Sequence, residues 1–283
     1  MTIKVYNPTT SSRRKTSTVS FGELTKKKPE KRLLRVQRQE SGRNNQGRIT
    51  ITGRGGGNKR HYRLIDNRTC NFDQEAKVIA LEYDPNRSAR LALVCYQNGK
   101  KSYIVAPQDL KVGDRILTTR KRAKINLGNR FPLKYIPIGT SVYDIELVRG
   151  KGGQLVRSAG AMAVLLAKEG TQVHLKLPSG EVRIIKGDCL ATIGQVSNLD
   201  YENIRWGKAG RMRHRGKRPD VRGKAMNPVD HPHGGGEGNS PIGMKHPKTR
   251  TGKPALGFKT RKKKKFSNRY ILKRRTGEKL SNG

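Results

Sequence analysis

Ala76-Lys77-Val78-Ile79-Ala80-Leu81-Glu82-Tyr83, Ala89-Arg90-Leu91-Ala92-Leu93-Val94-Cys95 and Lys101-Ser102-Tyr103-Ile104-Val105 follow one another within a few turns of chain. Each run is short and rich in apolar or β-branched residues. Their apolar residues recur with a strand-like period and β-branched enrichment. Asp84-Pro85-Asn86 and Asn98-Gly99 separate them, and such residues supply the positive φ or the side-chain hydrogen bonds that tight turns need. Working outward, similar runs recur at 141–148, 171–177, 181–186 and 190–196, with Lys111-Val112-Gly113-Asp114 and Pro178-Ser179-Gly180 as further turns. The apolar run 161–168, between Gly160 and Gly170, reads either as a short helix or as a buried strand. About ten short strands without long amphipathic helices predict an all-β fold of barrels or sandwiches. The interruption Leu127-Gly128-Asn129-Arg130-Phe131-Pro132-Leu133, followed by Pro137 and Gly139, divides it into two small β domains in tandem, 61–130 and 131–204.

Charge sets these domains apart from their flanks. The 283 residues include 62 Lys and Arg against 21 Asp and Glu, a formal net charge of +41. Residues 61–204 are close to ordinary, with 22 basic and 14 acidic side chains, whereas 1–60 carry 16 against 3 and 205–283 carry 24 against 4. Hydrophobic residues are 33% and aromatics 5% of the chain, which suits a modest core between basic extensions. With so little to bury, the extensions are expected to be disordered or extended until a partner shapes them. Runs such as Ser11-Ser12-Arg13-Arg14-Lys15, Lys26-Lys27-Lys28, Arg211-Met212-Arg213-His214-Arg215-Gly216-Lys217-Arg218 and Arg261-Lys262-Lys263-Lys264-Lys265 call for a polyanion. A nucleic-acid backbone meets that need, because every neutralised phosphate releases counterions. No run approaches the ~20 apolar residues of a bilayer span and no basic amphipathic helix stands out, so a membrane is not the expected partner. Cys70, Cys95 and Cys189 have no metal-ligand spacing and read as small core residues of a reducing compartment. Met1-Thr2-Ile3-Lys4-Val5 lacks the apolar region of a secretory signal, which points to the cytosol or an equivalent gene-expressing compartment.

Three segments carry candidate chemistry. Gly53-Arg54-Gly55-Gly56-Gly57-Asn58-Lys59-Arg60-His61-Tyr62-Arg63 sets four glycines among four cations, a composition that lets backbone amides approach phosphates. It lacks the Lys-Ser or Lys-Thr of a mononucleotide loop. Gly150-Lys151-Gly152-Gly153-Gln154-Leu155-Val156-Arg157-Ser158-Ala159-Gly160 repeats the mixture, with Arg157 and Ser158 as phosphate donors. Met226-Asn227-Pro228-Val229-Asp230-His231-Pro232-His233-Gly234-Gly235-Gly236-Glu237-Gly238 is the least usual stretch. His231, His233, Asp230 and Glu237 match no zinc spacing and no acid–base constellation, so the segment reads as an extended loop threading between RNA strands, where imidazole can stack on a base. No metal site, no cofactor and no self-contained active site is expected; Mg²⁺ enters only as an ion carried by RNA.

Asn44-Asn45-Gln46-Gly47, Gly55-Gly56-Gly57-Asn58-Lys59-Arg60, Glu82-Tyr83-Asp84-Pro85-Asn86-Arg87, the 150–160 segment and the 226–238 segment together resemble, in order and spacing, the bacterial-type large-subunit ribosomal protein L-two family over about 6–275. The resemblance implies an oligonucleotide-binding barrel, then an SH3-like barrel, with extensions at 1–60 and 205–283 that penetrate large-subunit ribosomal RNA. It implies a primary RNA binder among neighbouring ribosomal proteins, near the peptidyl-transferase centre, touching the small subunit through an intersubunit bridge. A cytoplasmic or organellar ribosome and no homo-oligomer go with that reading. His231 falls on the position discussed in the family for peptidyl transfer; here catalysis is assigned to RNA and His231 to support. RNA contacts are expected from Arg54, Lys59, Arg60, Arg63, Arg157, Ser158, Lys208, Arg211, Arg213, Arg215, Arg222, His231 and His233. The chain departs from the family pattern at Thr249-Arg250-Thr251-Gly252 and at His214, where flat aromatic residues are usual. Arg250 and His214 can themselves stack on bases.

Overall fold

A computed structural model describes residues 3–25, 28–39, 41–67, 71–262 and 264–276. The chain divides into two compact units, one drawn from 1–38, 59–208 and 267–283, the other from 39–58 and 209–266. The first unit is all-β and contains two small barrels in succession.

In the first barrel the strands Lys101–Val105, Leu91–Tyr96, Glu75–Glu82 and Arg115–Leu117 lie side by side in that order, all antiparallel. Alternation in Glu75–Glu82 buries Ala76, Val78, Ala80 and Glu82 and leaves Lys77 and Ile79 outward. A register shift between Val78 and Ala80 coils the pair of long strands, as an extra residue on one strand does. Two apolar clusters result, one around Val78, Val94 and Ile104 and another around Leu91, Leu93 and Tyr103. The Tyr103 hydroxyl, fully buried, donates to Glu82 Oε2 at 2.6 Å and accepts from the Glu30 amide at 2.8 Å. Burial first, and then the bond to Glu82, raise its pKa above the usual phenol range.

The second barrel is a seven-stranded antiparallel sheet ordered Ile271–Lys273, Val182–Lys186, Gln172–Lys176, Ala163–Glu169, Ser141–Tyr143, Leu190–Ile193, Arg130–Pro132. At about 4.8 Å between neighbours a flat sheet would hold Ile185 and Phe131 far apart. Both belong to one buried cluster with Leu133, Val142, Leu165, Leu175 and Ile193, so the sheet curls round a single core. The run 161–168, open between helix and strand in sequence, is a strand here. A bulge between Leu165 and Ala167 breaks its alternation, which is why it lacked a clean period. The basic flanks, expected to be disordered or extended, carry short elements of their own. Ile3–Val5 pairs with Ser17–Val19, and Ile271–Lys273 joins the second barrel as an edge strand. Cys189 sits in the core, where burial and the nearby Glu146 push its thiol up to about 11 and keep it in the inert protonated form. Cys95 is half-buried, and Cys70 lies outside the described residues.

The second unit has a different constitution. None of its described residues is buried, although 209–266 alone contain 17 Lys and Arg against three Asp and Glu. Its order comes from backbone hydrogen bonds, one helix at Ala209–His214 and tight turns. Among the described residues of the whole chain, no helix is long and apolar enough to cross a membrane, and no three His, Cys, Asp or Glu side chains gather as a metal site.

Candidate nucleic-acid interface

Four of the sequence-selected cations come together in the second unit. The segment 53–58 runs along 214–218: the Gly55 amide donates to Gly216 O at 2.9 Å, Asn58 N to His214 O at 2.9 Å and Arg218 N to Gly53 O at 2.9 Å. This sets Arg54 beside Lys217 and next to the helix that presents Arg211 and Arg213, with Arg215 just beyond it. The glycines were read as giving backbone access to phosphate, and the structure adds a second reason. A Cβ on Gly57 would stand 2.8 Å from the Gly216 backbone, so the two chain segments can meet only without it. Arg222 lies further along the same unit, exposed, at the mouth of the turn Gly223–Ala225.

The histidine loop is closed and ordered. The Asp230 amide donates to Asn227 O at 3.0 Å, Gly235 N to Met226 O at 3.0 Å and Gly234 N to His231 O at 2.8 Å. His231 Nδ1 accepts the His233 amide at 3.0 Å, and His233 Nε2 accepts the Lys248 amide at 2.8 Å. Each imidazole therefore spends a lone pair on backbone, which assigns the proton to the other ring nitrogen. The two rings lie with their centroids 4.7 Å apart and their planes tilted by 59°. A Cβ on Gly223 would come within 2.5 Å of the His231 ring, so that glycine makes the seat. Beyond it, 248–254 closes as a hairpin, with Thr249 N on Lys253 O at 2.7 Å and Thr249 Oγ1 on Thr251 Oγ1 at 3.1 Å. The turn at Thr249-Arg250-Thr251-Gly252 thus closes without the usual aromatic residue.

In the first unit the selected arginines turn inward. Arg63 is buried, donates to His61 O at 3.0 Å and lies 3.8 Å from Asp84. Arg60 Nη1 donates to Pro85 O at 3.0 Å. Asp84, itself fully buried, pairs with Arg87 at 2.7 Å and accepts the Asn86 amide at 2.9 Å, so the 82–87 motif is a clamp on Arg60 and the strand His61–Arg63 that follows it. Arg157 pairs with Asp144 at 3.0 Å and donates to Gly153 O at 2.7 Å, while Ser158 is exposed. Lys59 and Lys208 are exposed.

Sequence reasoning missed the group that holds the 150–160 loop. Arg130, fully buried, donates through Nη1 to Asp144 O at 2.6 Å, Asp144 Oδ2 at 3.0 Å and Thr192 Oγ1 at 3.2 Å, and through Nη2 to Glu146 Oε1 at 3.4 Å. Glu146 in turn accepts the amides of Gly150, Gly152 and Leu190 at 3.4, 3.2 and 3.1 Å. The loop then leaves ordinary backbone: Val156 has φ 56 and its carbonyl accepts the Asp144 amide at 2.9 Å. A β-branched residue in that region is strained, and the ion network overrides the strain. The available signal was Asp144 and Glu146, two carboxylates at strand spacing inside an apolar run, which demand a buried cation without saying which.

An all-β body with its own apolar cores, joined to a unit that buries none of its described residues and carries 17 Lys and Arg against three Asp and Glu in 209–266, defines a structural RNA-binding protein. Two family models match the chain: Ribosomal Proteins L2, RNA binding N-terminal domain, over residues 30–118, and Ribosomal Proteins L2, C-terminal domain, over residues 126–252. The chain belongs to the ribosomal protein L2 family. It is accordingly a structural constituent of the large ribosomal subunit that binds ribosomal RNA among other ribosomal proteins and serves translation, in a family of structural proteins and not of conventional enzymes.

Proposed function

We propose that the chain organises RNA beside the peptidyl-transferase centre as a scaffold, one copy per cytoplasmic ribosome, and that it contributes to an intersubunit bridge. The two barrels, 61–130 and 131–204, set orientation; the extensions 1–60 and 205–283 lock separate RNA helices together. The observation that carries this reading is the second unit, which has 17 Lys and Arg in 209–266 and no buried side chain among its described residues, so that it needs a polyanion to complete it. Arg54, Lys59, Lys208, Arg211, Arg213, Arg215 and Arg222 contact phosphates, with Ser158 and His233 at neighbouring polar contacts. Arg60, Arg63 and Arg157 act chiefly by fixing the backbone that other residues present. Affinity of the full chain for large-subunit ribosomal RNA should fall steeply with salt, and Arg54→Ala, Arg213→Ala and Arg222→Ala should each reduce the slope of log affinity against log salt by about one. A slope unchanged in the triple variant would place the phosphate contacts elsewhere.

His231 belongs to the scaffold. Its Nδ1 lone pair already accepts a backbone amide, so the ring offers RNA a donor and not a base. Asparagine at this position reproduces the acceptor close to the Nδ1 site. Ribosomes carrying His231→Asn should assemble normally and transfer peptides at the parental rate; normal assembly with a collapsed transfer rate would give His231 a chemical part.

A further inference from the structure

The first unit contains a cleft of about 220 Å³ that, of the candidate segments selected from sequence, only Gly150 at the start of 150–160 touches, and that none of the expected RNA-contacting side chains lines. Its walls include Phe72, Arg120, Lys134, Glu146, Arg149 and Asp188. The negative charge among these is already committed. Glu146 is buried and holds Arg130 Nη2 at 3.4 Å together with three backbone amides, and Asp188 pairs with Lys134 at 2.8 Å. That pair draws the Asp188 carboxyl below its usual range, first through the hydrogen bond from Lys134. Arg120 and Arg149 are exposed, and among the described residues neither has a carboxylate within ion-pair distance. The cleft therefore presents cations toward solvent.

One of those cations is placed for more than charge. The Arg120 guanidinium lies over the Phe72 ring, 4.4 Å from its centroid. A guanidinium backed by an aromatic ring is the kind of platform on which an unpaired base stacks, and base–aromatic and base–guanidinium contacts of this sort dominate recognition of single-stranded RNA. The volume argues for a small occupant, since it falls below the roughly 300–1,000 Å³ of sites that enclose drug-sized molecules. Directly after Arg120 the chain continues Lys121-Arg122-Ala123-Lys124, with all three cations exposed, a track along which a phosphate backbone can run into the cleft.

We infer that this cleft takes one unpaired nucleotide of RNA, its base on the Arg120–Phe72 platform and its phosphate against Arg149. The inference rests on the RNA-binding reading above and extends it to a barrel surface whose net charge is nearly ordinary. The test uses the full chain with large-subunit ribosomal RNA. Arg120→Ala should weaken binding about tenfold, within the range seen when one stacked base is lost. Arg120→Lys should remain close to the alanine variant, because it restores charge without a flat face; recovery of parental affinity by lysine would reduce the site to a point charge and overturn the inference. Unchanged affinity in Arg120→Ala would overturn it as well. Because either variant could act through the fold, ultraviolet crosslinking of the parental complex supplies an independent reading. Adducts of a single nucleotide on peptides containing Phe72 or Arg120 are expected, and adducts confined to the extensions would overturn the site while leaving RNA binding intact. Saturation of the cleft by uridine monophosphate as tightly as by RNA would replace the strand with a free nucleotide. Failure of the parental chain to bind RNA at all would bring down the broader reading with it.

Discussion

Arg130→Ala should destabilise the first unit by about 3–5 kcal/mol, the cost of leaving buried carboxylates without their cation, and that is a large share of the ~5–15 kcal/mol that holds a typical domain. The reason lies in what the guanidinium connects. It reaches Asp144 twice, Thr192 and Glu146, and Glu146 carries the amides of Gly150 and Gly152. Removing it strands Glu146, leaves Asp144 to Arg157 alone, opens a void and releases the strained turn at Val156. Arg130→Lys should fall between, because one ammonium cannot span acceptors that occupy both ends of a planar fork. Urea denaturation followed by circular dichroism measures the loss. A change in Arg130→Ala below about 1 kcal/mol would mean that water replaces the guanidinium without penalty, contrary to the picture of a dry network.

Gly57→Ala is expected to act on binding and leave the barrels alone. The added methyl would stand 2.8 Å from the Gly216 backbone, and the atoms it would meet are all backbone, so no side chain can move aside to make room. The pairing of 53–58 with 214–218 should open, and the RNA must then order both segments itself. Ordering a free segment on binding costs about 2–5 kcal/mol, which predicts a loss of thirtyfold or more in affinity for ribosomal RNA. The urea midpoint of the barrels should stay at the parental value. Parental affinity in the variant would show that the RNA holds Arg54 and 211–218 in place unaided.

How much of this was legible beforehand depended on how local each cause is. The strands of the first barrel declared themselves as short apolar, β-branched runs set off by turns such as Asn98-Gly99, but which face is buried did not, since outward Ile79 is as apolar as inward Val78 and inward Glu82 is charged. Ala163–Glu169 did not, because the bulge at Leu165 and Ala167 erases the period that would have told strand from helix. The cationic surface of the second unit followed from composition. Its scaffolding did not, for the need for glycine at 57 is created by a residue nearly 160 positions away. The same holds for the arginines. Charge marked Arg63 and Arg157 as donors to phosphate, but only the fold could show that Asp84 and Asp144 lie beside them. Arg130, the most constrained cation described, looked like part of an interdomain break.

The edge strand Ile271–Lys273 has a further consequence for the life of the chain. By pairing with Val182 and Arg183, it pins the far end of a long cationic excursion, 209–266, back onto the body from which it departs. The excursion is therefore a closed loop and not a tail, and its ends are restricted before any RNA arrives. During synthesis that closure comes last, after the barrels have emerged and can fold. A nascent chain lacking this strand would expose the same positive charge on an open arm, free to sample many RNA sites, whereas the finished chain explores far fewer.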